Sequence, residues 1–221
     1  MKILVIPDLH LPYEHLDSLP FISAIYDRMK PDKVVCLGDE LDYHAISFHE
    51  KDPDSPFSPC KELEKSIEKL IPWHKKFPNM QLLESNHGSL VYRKGKFNGI
   101  PRNVFKEYKD LLETPTWTWH NNLCLDGVHF THQFSGNAAA FGKHIVCGHC
   151  HTKFQTICTT TEYNTQFVSY AGCLIDRTSF AFAYQSANIA KPALGCLAIY
   201  NQVPMLIPMI LDARGRWTGN L

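Results

Sequence analysis

The sequence lacks a surplus of charge of either sign: Lys plus Arg and Asp plus Glu number 22 each in 221 residues. A balanced chain projects no global field toward a polyanion or an acidic membrane surface, so any such partner has to be met by a local patch. No apolar run approaches the roughly 18 residues that a helical bilayer span requires, which excludes that class of membrane protein. The opening run Met1-Lys-Ile-Leu-Val-Ile-Pro7 is interrupted at once by Asp8, so it lacks the form of an export signal. The eight cysteines are therefore expected as reduced thiols, with Cys36, Cys147 and Cys196 inside apolar strand patterns, and the compartment expected is cytoplasmic. The twelve histidines form no tag-like tract but sit beside glycines and acids, a distribution that points to metal chemistry. Nothing in the length demands a division, so residues 1–221 are expected to fold as one domain.

What is present is organised around Asp39. The apolar run Lys33-Val-Val-Cys-Leu37 leads into Gly38-Asp-Glu-Leu-Asp42, which delivers a carboxylate from the end of a buried strand, where α/β folds collect ligands. A carboxylate has two oxygens and can hold two cations. Lys2–Ile6 reads as another buried strand, followed by Asp8 and His10, which in extended backbone would point the same way. A helix is predicted over 16–30, with Leu19, Ile22, Ile25, Tyr26 and Met29 inward. A polar, proline-bearing loop follows over 43–59, with His44 and His49 as ordinary surface histidines. Ser58 and Pro59 form a helix start, and the helix 60–74 turns Leu63, Ile67 and Leu70 to the core. After a strand at 80–83 comes Glu84-Ser-Asn-His-Gly88, in which Asn86 offers a neutral oxygen ligand and His87 a proton-transfer group.

Residues 88–119 read as an insert that could contact substrate: Arg93, Lys94, Lys96, Arg102 and Lys106 alternate with Tyr92, Phe97, Phe105 and Tyr108. Such interleaving suits phosphates and stacked bases, but it equally describes a solvated loop and a helix over 103–112 with its aromatics inward. Short strands follow at 117–120, Leu123–Leu125 and 128–132, separated by the turn signals Asn121-Asn122 and Asp126-Gly127. A short helix is expected over 137–141, then the strand His144–Cys147 running into Gly148-His-Cys-His151, whose two histidines would share a face of extended chain. Cys147-Gly-His-Cys150 has the spacing of a redox motif. It ends a strand rather than opening a helix, and no second such pair completes a zinc site, so the histidines carry more weight than the thiols. The runs Gly195–Tyr200 and 204–211 are expected as a hairpin completing a second sheet. Asp176, Arg177, Phe180, Phe182 and Tyr184 are either pocket-lining or packed in a loop over 174–192.

Asp8-Leu-His10, Gly38-Asp39 to Asp42, Asn86-His87, His132 and Gly148-His149-Cys-His151 follow one another as in the calcineurin-like metallophosphoesterase superfamily, which the chain resembles from residue 8 to residue 151. The resemblance implies an α/β fold, a four-layer αββα sandwich of two mixed β-sheets flanked by helices, with a dinuclear metal site at the C-terminal ends of strands. It implies that Asp8, His10, Asp39 and His151 hold one divalent ion and that Asp39, Asn86, His132 and His149 hold the other. His87 would then protonate the leaving oxygen, with Asp42 fixing its ring, while a metal-bridging hydroxide attacks phosphorus. Oxygen and imidazole ligands without thiolate suit manganese first, with iron, nickel or zinc as alternatives.

Two departures narrow the reading. Ser85 and Gly88 stand where the family usually carries a glycine and an acid, and Asp42-Tyr43-His44 replaces the Asp-Arg-Gly of protein phosphatases. The expected activity is hydrolysis of a phosphodiester in a nucleotide or single-stranded nucleic acid, with Arg93, Lys94 and Arg177 toward substrate. A small-molecule phosphomonoesterase and a non-catalytic scaffold on the same fold are the alternatives.

Overall fold

Along Lys2–Ile6 (β1) every residue after the first is buried, so the strand needs a packed layer against each face. In the computed structural model, which describes residues 1–48, 57–179 and 189–221, those layers are a group of helices and a second sheet. The elements run β1, α1 (Ser18–Met29), β2 (Lys33–Cys36), α2 (Pro59–Lys76), β3 (Gln81–Leu83), α3 (Leu90–Phe97), α4 (Tyr108–Leu111), β4 (Thr118–His120), β5 (Leu123–Leu125) and β6 (Val128–Thr131). They continue with α5 (Ala138–Phe141), β7 (His144–Cys147), β8 (Phe154–Thr160), β9 (Thr165–Ala171), β10 (Gly195–Tyr200) and β11 (Val203–Pro208). One six-stranded sheet has the order β11-β10-β1-β2-β3-β4 and one five-stranded sheet the order β5-β6-β7-β9-β8. In the first sheet β1 to β4 are parallel. In the second, β6, β7 and β9 are parallel between antiparallel edges.

Strand alternation assigns the layers. Ile3, Val5, Val35, Leu37, Leu83, Leu197 and Ile199 face the second sheet and pack on Val128, Phe130, Val146 and Phe167. Their neighbours Leu4, Ile6, Cys36, Leu82 and Ala198 face the helices, against Phe21, Ile22, Leu70 and Trp73. Burial of this kind stabilises by roughly 25 cal/mol per Å² of apolar surface removed from water, and here it does so on both faces of one sheet. The outer face of the second sheet is covered over Ile145, Cys147 and Val168 by Ala138 of α5, so the fourth layer is a single helical turn there. Among the described residues no helix is long and apolar enough to cross a membrane.

Several expectations need correction. The β10–β11 hairpin joins the first sheet, pairing Val5 with Leu197, not the second. Asn121-Asn122 links strands of different sheets and is no hairpin, whereas Asp126-Gly127 is one. A helix forms at Leu90–Phe97, where basic residues obscured the periodicity, and the helix expected over 103–112 shrinks to Tyr108–Leu111. The inward stripe of α2 is Glu62, Ser66, Leu70 and Trp73, with Leu63 and Ile67 at its flank. The cause is polar: Glu62 accepts from the amides of His44 and Ala45, each at 2.6 Å, and Ser66 Oγ donates to the Leu11 carbonyl at 3.1 Å. Ser58 caps α2 through its hydroxyl, as its position suggested. His49, Phe180, Phe182 and Tyr184 lie outside the described residues.

Candidate metal centre

The parallel strands β1, β2 and β3 all end on one side of the first sheet, and β6 and β7 end beside them. Each strand end is followed by a motif residue. Asp8 and His10 follow β1, Asp39 follows β2, Asn86 and His87 follow β3, His132 follows β6, and His149 and His151 follow β7. The backbone there is not extended. His10, Asp39 and His149 have φ of 53°, 48° and 62°, the left-handed region, so the donors converge through turns rather than along a shared strand face. Those turns are tied down by hydrogen bonds: the amide of His10 donates to the Asp39 carbonyl at 2.8 Å, that of Asp39 to Ser85 Oγ at 2.9 Å, and that of His149 to Asp8 Oδ2 at 2.7 Å.

Two donor groups result. Asp8, His10, Asp39 and His151 bring one ligand atom each within 4.8 Å of one another, and Asp39, His132 and His149 do the same. Asn86 completes the second group, with Oδ1 2.7 Å from His132 Nε2 and 3.0 Å from His149 Nδ1. Asp39 belongs to both, because its Oδ2 lies 3.5 Å from His10 Nε2 and 3.4 Å from His132 Nε2. A third grouping, His10, Asp42 and His87, is a hydrogen-bonded support rather than a third set. Asp42 Oδ1 meets His10 Nδ1 at 2.6 Å, and the Asp42 carbonyl accepts from His87 Nδ1.

Hydrogen bonds fix the tautomers in favour of a cation. The Leu37 carbonyl, 2.8 Å from His132 Nδ1, can only accept, so Nδ1 carries a proton and Nε2, 2.7 Å from Asn86 Oδ1, is the nitrogen turned toward the other donors. Asp42 likewise holds the proton on His10 Nδ1 and leaves Nε2 open, 3.0 Å from His151 Nε2. Ring nitrogens, carboxylates and an amide oxygen turned toward one another in this way make a set that a divalent ion could hold. Asp8 Oδ1, fully buried, has no hydrogen-bond partner among the described residues. Oxygen and imidazole donors without thiolate fit hard or borderline divalent ions, so the residues fit the expected pair.

Charge follows the same logic. Burial would raise the Asp39 carboxyl, yet the imidazoles of His132, His87 and His10 outweigh it and hold the group below the usual carboxylate range. Burial, opposed by the bond to Asp42, lowers His10, and burial with the neighbouring His132 lowers His149. For His151 and His87 burial is outweighed by carboxylates, Asp8 for the first and Asp39 and Asp42 for the second, so both lie above the ordinary imidazole value.

Packing leaves these groups little freedom. A Cβ on Gly148 would lie 2.3 Å from Asp8 Oδ1, so only glycine lets that strand end approach the carboxylate. His44, expected at the surface, is buried, with Nδ1 3.9 Å from Asp42 Oδ2. Glu40 was not expected at all: it is 1% exposed, accepts from Trp119 Nε1 at 3.2 Å, and burial lifts its pKa to about 7. It lies beneath Gly88, where a Cβ would come 3.4 Å from Glu40 Oε1, so an acid sits under the position that lacks one. A glutamate between Asp39 and Leu41 gives no signal of this in the sequence.

Of the residues read toward substrate, Arg93 reaches the site, donating through Nη1 to the Asn86 carbonyl at 3.1 Å, and Lys94 lies beside it over the Phe48 ring. Arg177 is exposed on a turn after Asp176. The insert's aromatics are engaged with one another: Tyr92 packs edge-on to Phe105 and Tyr108, and Tyr108 stacks on Trp119, while Phe97 is 85% exposed. All eight cysteines are free, and burial pushes the Cys147 thiol up to about 12, which removes the thiolate that redox chemistry would need.

No protein-family model and no curated protein matches the chain. Among solved structures it is similar to YfcE, a phosphoesterase from E. coli, at 13% identity and a TM-score of 0.48 over 99% of this chain and 97% of that one. It is also similar to Vps29 of Chaetomium thermophilum, at 12% identity and a TM-score of 0.48 over 98% and 92%. In its two-sheet sandwich and in the order of the motif residues that the sandwich brings together, the chain resembles the calcineurin-like metallophosphoesterases.

Proposed function

We propose that this protein is a phosphohydrolase dependent on two divalent metal ions and that its preferred substrates are phosphodiesters of nucleotides or nucleic acids. The observation that supports this most is the position of Asp39 Oδ2 between the two donor groups, 3.5 Å from His10 Nε2 and 3.4 Å from His132 Nε2. Asp8, His10, Asp39 and His151 would hold one ion and Asp39, Asn86, His132 and His149 the other, with manganese the first choice. When bound, such a pair neutralises phosphate oxygens and lowers the pKa of water for attack on phosphorus.

The remaining work falls to side chains. His87, half-buried at the rim and held by the Asp42 carbonyl, would give its proton to the departing oxygen. Burial lowers the pKa of this imidazole, but the carboxylates of Asp39 and Asp42 outweigh that and raise it above the ordinary imidazole value. Asp42 has a further task besides His87: its carboxylate orients His10. An ester with an alkoxide leaving group, which needs a proton, uses this acid more fully than an activated aryl ester does.

The test is hydrolysis of bis(p-nitrophenyl) phosphate and p-nitrophenyl phosphate by metal-stripped protein, with and without manganese, beside Asp39→Asn and His87→Ala. Diester turnover that requires metal and falls at least about 100-fold in Asp39→Asn is expected. Preference for the monoester would replace the diesterase reading with a phosphatase. Two ions bound with neither ester hydrolysed, and no nucleotide diester either, would make the chain a scaffold.

A further inference from the structure

Beside the donor groups the surface opens into a cleft of about 460 Å³, lined by Asn86 and His132 of the site and by Ser89, Arg93, Asn121 and Gln133. Arg93 is the cation of this lining. One of its nitrogens is tied to the Asn86 carbonyl, and its guanidinium carbon lies 5.5 Å from the centre of the exposed Phe48 ring, which Lys94 also approaches at 4.6 Å. Arg102, Arg214 and Arg216 each have a carboxylate within 4.0 Å. Arg28, Arg93 and Arg177, among the described residues, have none, and of these Arg93 is the one that lines the cleft; the cleft's acid, Glu84, lies 4.0 Å from Arg102. A braced guanidinium with no carboxylate partner among the described residues keeps most of its rigid fork for an anion, and phosphate is the anion whose geometry it matches.

We propose that Arg93 holds a second phosphoryl group of the substrate, so that the preferred ligand carries two phosphates, one at the donor groups and one in the cleft. The first placement rests on the phosphoesterase reading; the second rests on the cleft. Asn121 and Gln133, both exposed, add neutral amides that suit hydroxyls or a base edge between the phosphates. Two phosphates on one molecule come from two sources: consecutive phosphates of a nucleic-acid strand, or an anhydride-linked diphosphate.

The experiment is calorimetric binding of thymidine 5′-phosphate, thymidine 5′-diphosphate and thymidine 3′,5′-bisphosphate to the manganese-loaded protein, its Arg93→Ala variant and its Arg93→Lys variant. The wild type is expected to bind a two-phosphate ligand at least about tenfold more tightly than the monophosphate. Arg93→Ala should shrink that ratio to about threefold or less, and Arg93→Lys should restore part of it. Preference for the bisphosphate assigns strand spacing; preference for the diphosphate assigns the anhydride. Equal binding of all three ligands by the wild type overturns the proposal. So does a uniform loss in Arg93→Ala, which would leave Arg93 as a brace for Asn86. The readout is binding, so a protein that shows the preference yet hydrolyses neither nitrophenyl ester nor any nucleotide diester defeats the phosphoesterase reading and not this one.

Discussion

Ser85 occupies a position where the resembling family usually has glycine, and its hydroxyl is the shared acceptor for the amides of Asp39 at 2.9 Å and Gly88 at 3.0 Å. Both residues are buried, and among the described residues neither amide makes another hydrogen bond. Ser85→Ala and Ser85→Gly are each expected to lower the free energy of unfolding by about 2 kcal/mol in urea titrations, and to weaken metal binding because Asp39 loses its tether. An unchanged urea midpoint in both variants would show that water replaces the hydroxyl. The departure at this position was legible in the sequence; its meaning was not, since the two amides it serves lie on different segments. The same limit applies to Glu62 and Glu40, charged residues whose burial depends on partners 18 and 79 positions away.

Among elements, the short apolar strands were the most legible: Lys2–Ile6, Leu123–Leu125, His144–Cys147 and Gly195–Tyr200 form with the bounds read from sequence. Each is specified by a short apolar run and by turn residues at its ends. Helix α1 shows what is not local. It begins at Ser18 rather than at residue 16, and Asp17 before it accepts from Arg216 Nε at 2.8 Å, Arg216 Nη2 at 2.6 Å and the Trp217 amide at 2.9 Å. This clamp ties the last described segment to the start of α1 across 199 positions. The Arg216 hydrogen bonds hold the Asp17 carboxyl down at about 2, against an ordinary 3.8. A depressed carboxyl contributes stability above its unfolded value and loses it as pH falls through its folded value. Arg216→Gln is therefore expected to lower the melting temperature at pH 7, modestly because the arginine is exposed to solvent. The gap to wild type should close as pH drops from 3.8 toward about 2. Thermal melts of both proteins across that range decide it; a gap that stays constant would assign the loss to packing of the arginine stem.

In the whole molecule, the candidate centre spans both sheets. Asp8, His10, Asp39 and Asn86 stand on the first sheet, and His132, His149 and His151 on the second, with the inter-sheet core of Val5, Leu37, Phe130 and Val146 beneath. Ions shared between those donors would fasten one sheet to the other. Removing metal with a chelator is expected to lower the melting temperature, and restoring manganese at 100 times its dissociation constant should recover about 2.7 kcal/mol per site. Calorimetry of stripped and reloaded protein checks this, and superimposable melts would mean that the donors hold no ion. The ordered set of motifs was legible at this scale because each lies at a strand end. The sheet that each hairpin joins was not, because pairing β10 with β1 is a contact across most of the chain length that no local pattern encodes.

The left-handed backbone at His10, Asp39 and His149 bears on how such a protein can be improved. Residues with a Cβ hold that conformation at a penalty of about 1 kcal/mol each, which glycine would relieve. Glycine has no side chain to offer an ion, so at these positions greater heat resistance and the candidate chemistry are opposed. A laboratory selection for thermal endurance, run with chelator present, would find these positions first and drift away from the centre. The same selection run with divalent ions would hold them fixed.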